Sequence, residues 1–444
     1  MGALRVAVVG SGPAGFYAAG SLLGADIPVE VDLIERLPTP WGLVRLGVAP
    51  DHPKIKSVSR AFERIALQPG FRFLGNVEVG RDLSPDELLA YYDAVVYAVG
   101  AQTDRQIGIP GEDLPGSWPA TEFVAWYNGH PDSQDLSFDL SGERAVVIGN
   151  GNVAVDVARM LALTPEELAS TDTTDAALEA FAGAGIKEIV MVGRRGPAQA
   201  AFTTPELQEL GELAGADVIV DAADLEGAEP TDTNSERNLD VLREYASREP
   251  TGKPKRFVLR FLLSPVAFLG EGHVEAVELV HNRLEASGDG SLRAVATDEH
   301  ETLPAGIVFR SVGYRGAELP GLPFDERNGT IPNERGRVSE GVYVAGWIKR
   351  GPSGVIGTNK KDAAETVELL LEDLRDAPRK GKTAADIDAF LLDRGIRFVL
   401  YPGWTAIDEH ERAAGEKLGR PRVKLVTWDE LLRAAEKSPL HSET

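Results

Sequence analysis

The chain has 444 residues, 47 glycines, no cysteine and a formal net charge of −23. That length suggests two or three domains with an ample core. The missing cysteine excludes a redox disulfide, a thiolate nucleophile, a Cys-ligated iron–sulfur cluster and a thiolate zinc site, while the acidic balance argues against nucleic acid and anionic membranes as partners.

No apolar run reaches the ~18 residues of a membrane span. The first strand begins within a few residues of Met1 with no basic leader, so a cytoplasmic protein is expected. No metal site is expected.

In chain order, the first predicted element is the strand LRVAVV (Leu4 to Val9), followed by GSGPAG (Gly10 to Gly15) and a helix-like stretch. A lone GxGxxG is a weak signal. Its setting between a strand and a helix makes it a dinucleotide fingerprint, with Gly10, Gly12 and Gly15 at the turn. The next strand, VEVDLIE, ends at Glu35, 20 residues beyond Gly15. A carboxylate at that distance reaches a ribose hydroxyl pair, which favours FAD or NAD. The segment closes on DAVVYAVGAQ, a buried strand running into a glycine turn. Residues 103 to about 140 read as a loop-rich connection.

A second strand, RAVVI (Arg144 to Ile148), leads into GNGNVA (Gly149 to Ala154) and another helix. Here Gly149 and Gly151 make the turn. A polar helical insertion, PEELASTDTTDAALEAFAGAG, precedes the strand KEIVMVGRR. That strand ends in Arg194 and Arg195 and carries no carboxylate where the first unit has Glu35. A 2′-phosphate carries about −2 charge, so guanidinium donors suit it and a carboxylate would repel it. The second site therefore reads as NADP. Thr203-x-x-Glu206, with Pro205 inside, reads as a capping box at a helix start.

The alternating runs RFVLRFLLSPVAFL and VEAVELVHNRL, between 255 and 310, read as antiparallel strands. GIVFRSVGYR is a further buried strand. Near the end, Gly354, Val355 and Ile356 form a glycine-rich turn before a helix starting near Gly357. Its N–H groups would stabilise negative charge, such as that of a reduced flavin. The tail beyond 378 is helical. Two stretches run against the acidic trend: Lys54 to Arg72, and Arg237 to Arg260. Each is a candidate docking patch, with a solvated face as the ordinary alternative.

Several of these segments are specific beyond a generic fingerprint: RLPTPWGLVRLGVAPDHPKIK, GNVEVGRD, FVAWYNGHP, GNGNVAVDVAR, VGRRGPAQAAFTTPELQEL and AGWIKRGPSGVIGTNKKDA. Their content and order resemble adrenodoxin reductase and its bacterial relatives, the glutathione-reductase-like ferredoxin–NADP reductases. The resemblance spans nearly the whole chain. It implies FAD in the first site, NADPH in the second, and one-electron delivery to a ferredoxin-type iron–sulfur protein. It also implies an α/β fold of two Rossmann-like three-layer (ββα) domains. The NADP domain, 105–318, is inserted in a discontinuous FAD domain, 1–104 and 319–444. A monomer is the default expectation.

Residue by residue, the resemblance implies that Ala14, Glu35, Leu43 and Val79 surround the FAD adenosine and diphosphate. Trp347 marks the subfamily, since many related flavoproteins have an aspartate there. Gly354 to Ile356 contact the flavin ring. Asn150, Gly151, Asn152 and Val153 form the NADP pyrophosphate turn, and Arg194, Arg195 and Glu206 lie at its adenosine end. His52 and Glu209 are implied to form an ion pair beside flavin and nicotinamide. Taken alone, the first is an ordinary loop histidine and the second an ordinary helix carboxylate. Three other functions stay open on the sequence: an NADPH oxidase or quinone reductase without a protein partner, an electron-input subunit like that of glutamate synthase, and a non-catalytic dinucleotide sensor.

Overall fold

The computed structural model describes residues 2–288 and 292–437. Its Cα packing divides the chain into two compact units. One comprises Met1–Thr103, Asn128–Gln134 and Gly313–Thr444; the other comprises Asp104–Tyr127 and Asp135–Val312.

The first unit is built on a six-stranded sheet. Its order is Arg337–Ser339, Val342–Val344, Ala94–Tyr97, Leu4–Val9, Val29–Ile34 and Phe71–Leu74. All neighbouring pairs are parallel except the first. Leu4–Val9 and Ala94–Tyr97 are buried at every residue. Such burial requires cover on both faces and explains their unbroken apolar runs. The fingerprint helix Pro13–Leu23 lies against the sheet, and its Phe16 stacks on Phe62 at 4.9 Å.

The tail forms three helices, Ala384–Asp393, Tyr401–Glu416 and Trp428–Ala435. The middle one is tied to the N-terminal segment by a buried charge network. Glu411, with its side chain 0% exposed, accepts both outer nitrogens of Arg45 and one of Arg422, the latter at 2.9 Å. It also accepts the Leu425 backbone N–H. Burial alone would raise this carboxyl, yet Arg45 and Arg422 together hold it below the ordinary glutamate range.

The second unit has a six-stranded, wholly parallel sheet ordered Ser117–Pro119, Ile307–Arg310, Arg144–Ile148, Glu188–Val192, Lys255–Arg260 and Ala216–Val220. A three-stranded antiparallel sheet, Leu263–Leu269, Ala276–Ala286 and Leu292–Pro304, adds a further β layer. The insertion after the fingerprint helix becomes two short helices, Pro165–Ala169 and Asp175–Ala182, capped by Thr164 and Thr174.

Three expectations change. The run from Lys255 is not antiparallel until Leu263, because Lys255–Arg260 belongs to the parallel sheet. The break falls at Leu262, whose φ of 55° turns the chain out of that sheet. The loop-rich connection contains the strand Ser117–Pro119 and the helix Ala120–Tyr127, because Phe123, Val124, Trp126 and Tyr127 bury one apolar face. The expected inserted segment, 105–318, also differs from the packing. Asn128–Gln134 belongs with the first unit, where Asp132 pairs with Arg36 and accepts the Trp428 indole N–H, and the chain returns to that unit at Gly313.

Removing Glu411 strands Arg45 in a dry site and leaves Arg422 with Asp408 alone. Glu411→Ala is expected to lower stability by about 3–5 kcal/mol, read as a fall in the thermal midpoint. Because the folded pKa lies below the unfolded one, the ionised Glu411 contributes fully above the unfolded value. That contribution disappears as pH falls through the folded value, so the difference between wild type and variant should shrink in acid.

Candidate functional site

The two fingerprints fold into the same local shape for the same reason. Gly10 has φ 102°, and a Cβ there would lie 2.6 Å from the Ala98 carbonyl oxygen, at the end of the neighbouring strand. Gly149 has φ 136°, and a Cβ there would overlap the Ser311 carbonyl oxygen at the corresponding place. Both positions therefore exclude a side chain, by backbone conformation and by space. Gly12 and Gly151 are the extended N-caps of Pro13–Leu23 and Asn152–Ala162. A Cβ on either would meet nothing within 4 Å. These open glycines let another molecule approach the backbone. Neither helix has a side-chain cap or an acidic residue in its first turn, so the first amides face outward with the positive end of the dipole.

In the first unit other segments close around this turn. Gly15 sits so near Gly10 that a Cβ would overlap the Gly10 carbonyl oxygen. Glu35 follows the strand Val29–Ile34. Its Oε2 accepts the Ser11 backbone N–H at 3.0 Å and the Ser11 hydroxyl at 2.6 Å, and its Oε1 accepts Leu37 N–H at 3.0 Å. Trp41 donates its backbone N–H to Ser11 O at 3.0 Å, with an unusual φ of 85°. Gly42 then lies against Gly12 and starts the short helix Leu43–Leu46, leaving Leu43 partly exposed. Val79 is buried and bridges to Leu83.

From the C-terminal part of this unit, Gly346 packs so tightly on Ala14 that a Cβ would lie 2.5 Å from the Ala14 methyl. Trp347 follows and stands 5.5 Å from the Tyr314 ring. The buried indole nitrogens of Trp41 and Trp347 have no hydrogen-bond partner among the described residues. An orphaned buried donor points to an absent acceptor. Gly354, Val355 and Ile356 precede the helix Thr358–Asp373, which has neither a side-chain cap nor an acid in its first turn. Gly354 has φ 79°, and Val355 is 62% exposed. A glycine cradle, open helix amides and two orphaned indole donors fit a large anionic aromatic dinucleotide such as FAD.

In the second unit Asn152 is the first residue of its helix, but its Oδ1 accepts Thr203 N–H at 2.8 Å. This replaces the expected capping box, which is absent: Thr203 makes no side-chain cap and Glu206 turns elsewhere. Glu206 and Glu209 both pair with Arg159 at 3.3 Å, and Asp156 pairs with it at 2.9 Å. Arg159 is 2% exposed, and such a buried cation requires anionic partners. Its role is not legible in the sequence, because its partners lie up to 50 residues away. The buried Asn150 Nδ2 has no partner among the described residues, and Val153 is half-buried beside it.

Arg194 is exposed and Arg195 half-buried at the end of Glu188–Val192, and among the described residues neither is ion-paired. Two unneutralised guanidiniums beside open helix amides fit an anion with a second phosphate, as in NADP. His52 is a buried residue of the first unit, at the N-cap of Pro53–Lys56, and donates its backbone N–H to Ala49 O at 3.0 Å.

The two basic stretches differ. In Arg237 to Arg260, Arg243 pairs with Asp240, Arg248 with Glu244, Arg256 with Glu188 and Arg260 with Glu301. Lys253 and Lys255 donate to backbone carbonyls. Only Arg237 stands unpaired there among the described residues, so this stretch is largely neutralised. In Lys54 to Arg72, by contrast, Lys54, Arg60 and Arg64 are exposed and without ion pairs among the described residues. Ile55 and Leu67 beside them are 39% and 74% exposed.

Comparison with known proteins agrees with this geometry. Residues 4–191 match the family model described as pyridine nucleotide-disulphide oxidoreductase. The chain is 54% identical to NADPH-ferredoxin reductase FprA of Mycobacterium tuberculosis, over 96% of this chain and 98% of that protein. It is 42% identical to the mitochondrial NADPH:adrenodoxin oxidoreductase of Arabidopsis thaliana, over 97% and 95%. The solved structure of Mycobacterium tuberculosis FprA in complex with NADPH superposes with a TM-score of 0.94 at 53% identity, covering 98% of this chain and all of that one. Sharing that fold and sequence along nearly its entire length, the chain belongs to the adrenodoxin reductase family of NADPH–ferredoxin reductases.

Proposed function

We propose that this chain is an FAD-dependent NADPH–ferredoxin reductase, with FAD on the first unit and NADPH on the second. The observation that carries this is the opposed chemistry after two equivalent turns: Glu35, held by Ser11 and Leu37, against the unpaired Arg194 and Arg195. When bound, FAD supplies the acceptor for the NADPH hydride and releases electrons one at a time. With no cysteine to receive them, electrons leave for an external carrier, and a ferredoxin-type iron–sulfur protein is the proposed partner. The relatives' names support that assignment. A cytoplasmic monomer is proposed. Supporting a soluble setting, none of the described helices is long and apolar enough to cross a membrane.

The chain's part is binding, orientation and charge. Gly10, Gly12 and Gly15 keep the first turn bare for the FAD diphosphate, with Ala14, Leu43 and Val79 around it. Glu35 takes the adenosine ribose: among the described residues its Oε1 accepts the Leu37 N–H alone and retains room for a hydroxyl. Trp347 offers its indole N–H, and Gly354, Val355 and Ile356 present backbone to the flavin. Asn150 to Val153 hold the NADP pyrophosphate, Arg194 and Arg195 the 2′-phosphate, and Glu206 stands nearby. His52 and Glu209 act as a pair that sets the charge beside the nicotinamide. Hydride transfer requires no side-chain base, only stacked geometry.

Arg194→Ala with Arg195→Ala should raise KM for NADPH far more than for NADH. Each lost charge-assisted bond costs about 1.5–3 kcal/mol, with sub-additivity for neighbours. Equal losses with both nucleotides would show that the arginines do not read the phosphate.

His52→Ala and Glu209→Ala should keep FAD bound and slow its reduction in stopped-flow, with the double variant less than additive. Wild-type reduction rates in both single variants would remove the pair from the mechanism.

The docking patch is assigned to Lys54, Arg60 and Arg64. The last two share one face of Ser59–Ala66 at i, i+4 spacing. The overall charge of −23 repels an acidic carrier at long range, but salt screens that repulsion beyond about 8 Å and leaves local pairs to act. Ferredoxin reduction should therefore rise and then fall with salt. Arg60→Glu with Arg64→Glu should raise KM for ferredoxin and leave NADPH-to-ferricyanide turnover intact; an unchanged ferredoxin KM places docking elsewhere.

A further inference from the structure

The two arginines are only as well placed as the backbone that carries them, and their own strand has ended before they begin. Beyond Val192 the turn is held by borrowed hydrogen bonds. Gly193 N–H donates to Arg260 O at 2.9 Å, Leu263 N–H donates to Gly193 O at 3.1 Å, and Leu262 N–H donates to Arg195 O at 3.1 Å. The remaining carbonyl, that of Arg194, accepts from the side chain of Asn282 at 2.9 Å.

Asn282 is 8% exposed and lies where the pairing of Ala276–Ala286 with Leu292–Pro304 shifts register. Such an irregularity re-aims a side chain. The other hydrogen of its Nδ2 goes to Ser264 Oγ at 2.8 Å, and its backbone N–H goes to Leu262 O at 2.7 Å. One carboxamide therefore ties the arginine turn to the antiparallel sheet, at the point where the left-handed Leu262 leaves the parallel one. A carboxamide nitrogen carries two N–H donors; aspartate, serine or alanine in its place cannot make both bonds.

We propose that Asn282 is a positioning residue for nucleotide selectivity, holding the Arg194 peptide so that the Arg194 and Arg195 guanidiniums are set in advance for a 2′-phosphate. This rests on the NADP reading of the second site. Among the described residues no ion pair orients either guanidinium, so their directions are set through the turn itself. A supporting hydrogen bond of this kind adds affinity by removing alternatives rather than by touching the ligand.

The test is titration of the FAD-loaded protein with adenosine 2′,5′-bisphosphate and with 5′-AMP, alongside KM for NADPH and NADH. Asn282→Ala should weaken the bisphosphate about five- to tenfold and raise KM for NADPH alike, while 5′-AMP affinity, KM for NADH and the saturated rate stay within twofold. Asn282→Leu keeps the bulk, lacks both donors, adds no charge and should show the same split; it carries the measurement if the alanine variant does not fold. Ser264→Ala leaves the bond to Arg194 in place and should bind like wild type. Equal weakening of both adenosine ligands, or wild-type affinity in the Asn282 variants, overturns the proposal. If Arg194→Ala with Arg195→Ala weakens the two ligands equally, or leaves both affinities at wild type, the NADP reading has failed instead.

Discussion

A carbonyl oxygen pressed against a glycine governs both halves of this molecule. In each six-stranded sheet the strand that carries the fingerprint ends beside a parallel neighbour whose next carbonyl, from Ala98 or Ser311, occupies the space a Cβ would need. The chain must therefore turn there with positive φ, at Gly10 and Gly149, and enter its helix through a bare extended glycine. Everything else in the sites follows from that geometry. The first helix amides are open because nothing caps them, and nothing caps them because the residues that could are glycines. The third position shows how far the two sites can differ: Gly15 allows no side chain, whereas Ala154 carries its methyl into a fully buried position.

Given two equivalent turns, function is decided by what stands at the end of the following strand. Glu35 is fastened by two hydrogen bonds from Ser11 of the turn and a third from Leu37, so its charge is fixed where a ribose is recognised. Arg194 and Arg195 are left unneutralised in a chain where most arginines have found carboxylates. Leaving like charges adjacent and unpaired disfavours the empty site and favours an anion. The buried Arg159 shows the opposite use of the same residue type. Three carboxylates surround it, and it orders the helix Thr204–Glu209 against the fingerprint helix.

The local features were legible in the sequence. Both turns, Glu35 and the arginine pair depend on neighbours within a strand and a helix, and their spacing carried that information. Features set by distant partners were not legible. The stretch from Arg237 to Arg260 reads as a basic patch, but Arg256 and Arg260 meet Glu188 and Glu301, which lie 68 and 41 residues away in sequence. The capping box failed because Asn152, 51 residues earlier, takes the Thr203 N–H. Lys255–Arg260 reads as an alternating antiparallel strand, yet it lies between two parallel neighbours. The helix Ala120–Tyr127 was hidden among the prolines and glycines that flank it. Asn282 gave no signal at all, since its role exists only once an irregular hairpin meets the end of another sheet.

The central claim is that one cysteine-free chain accepts two electrons from NADPH in particular and passes them singly to an iron–sulfur protein. The most direct measurement is the anaerobic stoichiometry of the purified protein with ferredoxin as the only acceptor, run in parallel with NADPH and NADH. The expected result is two ferredoxins reduced for each NADPH oxidised, with NADH giving far slower turnover. NADPH consumption without ferredoxin reduction, or equal use of the two nucleotides, would contradict it.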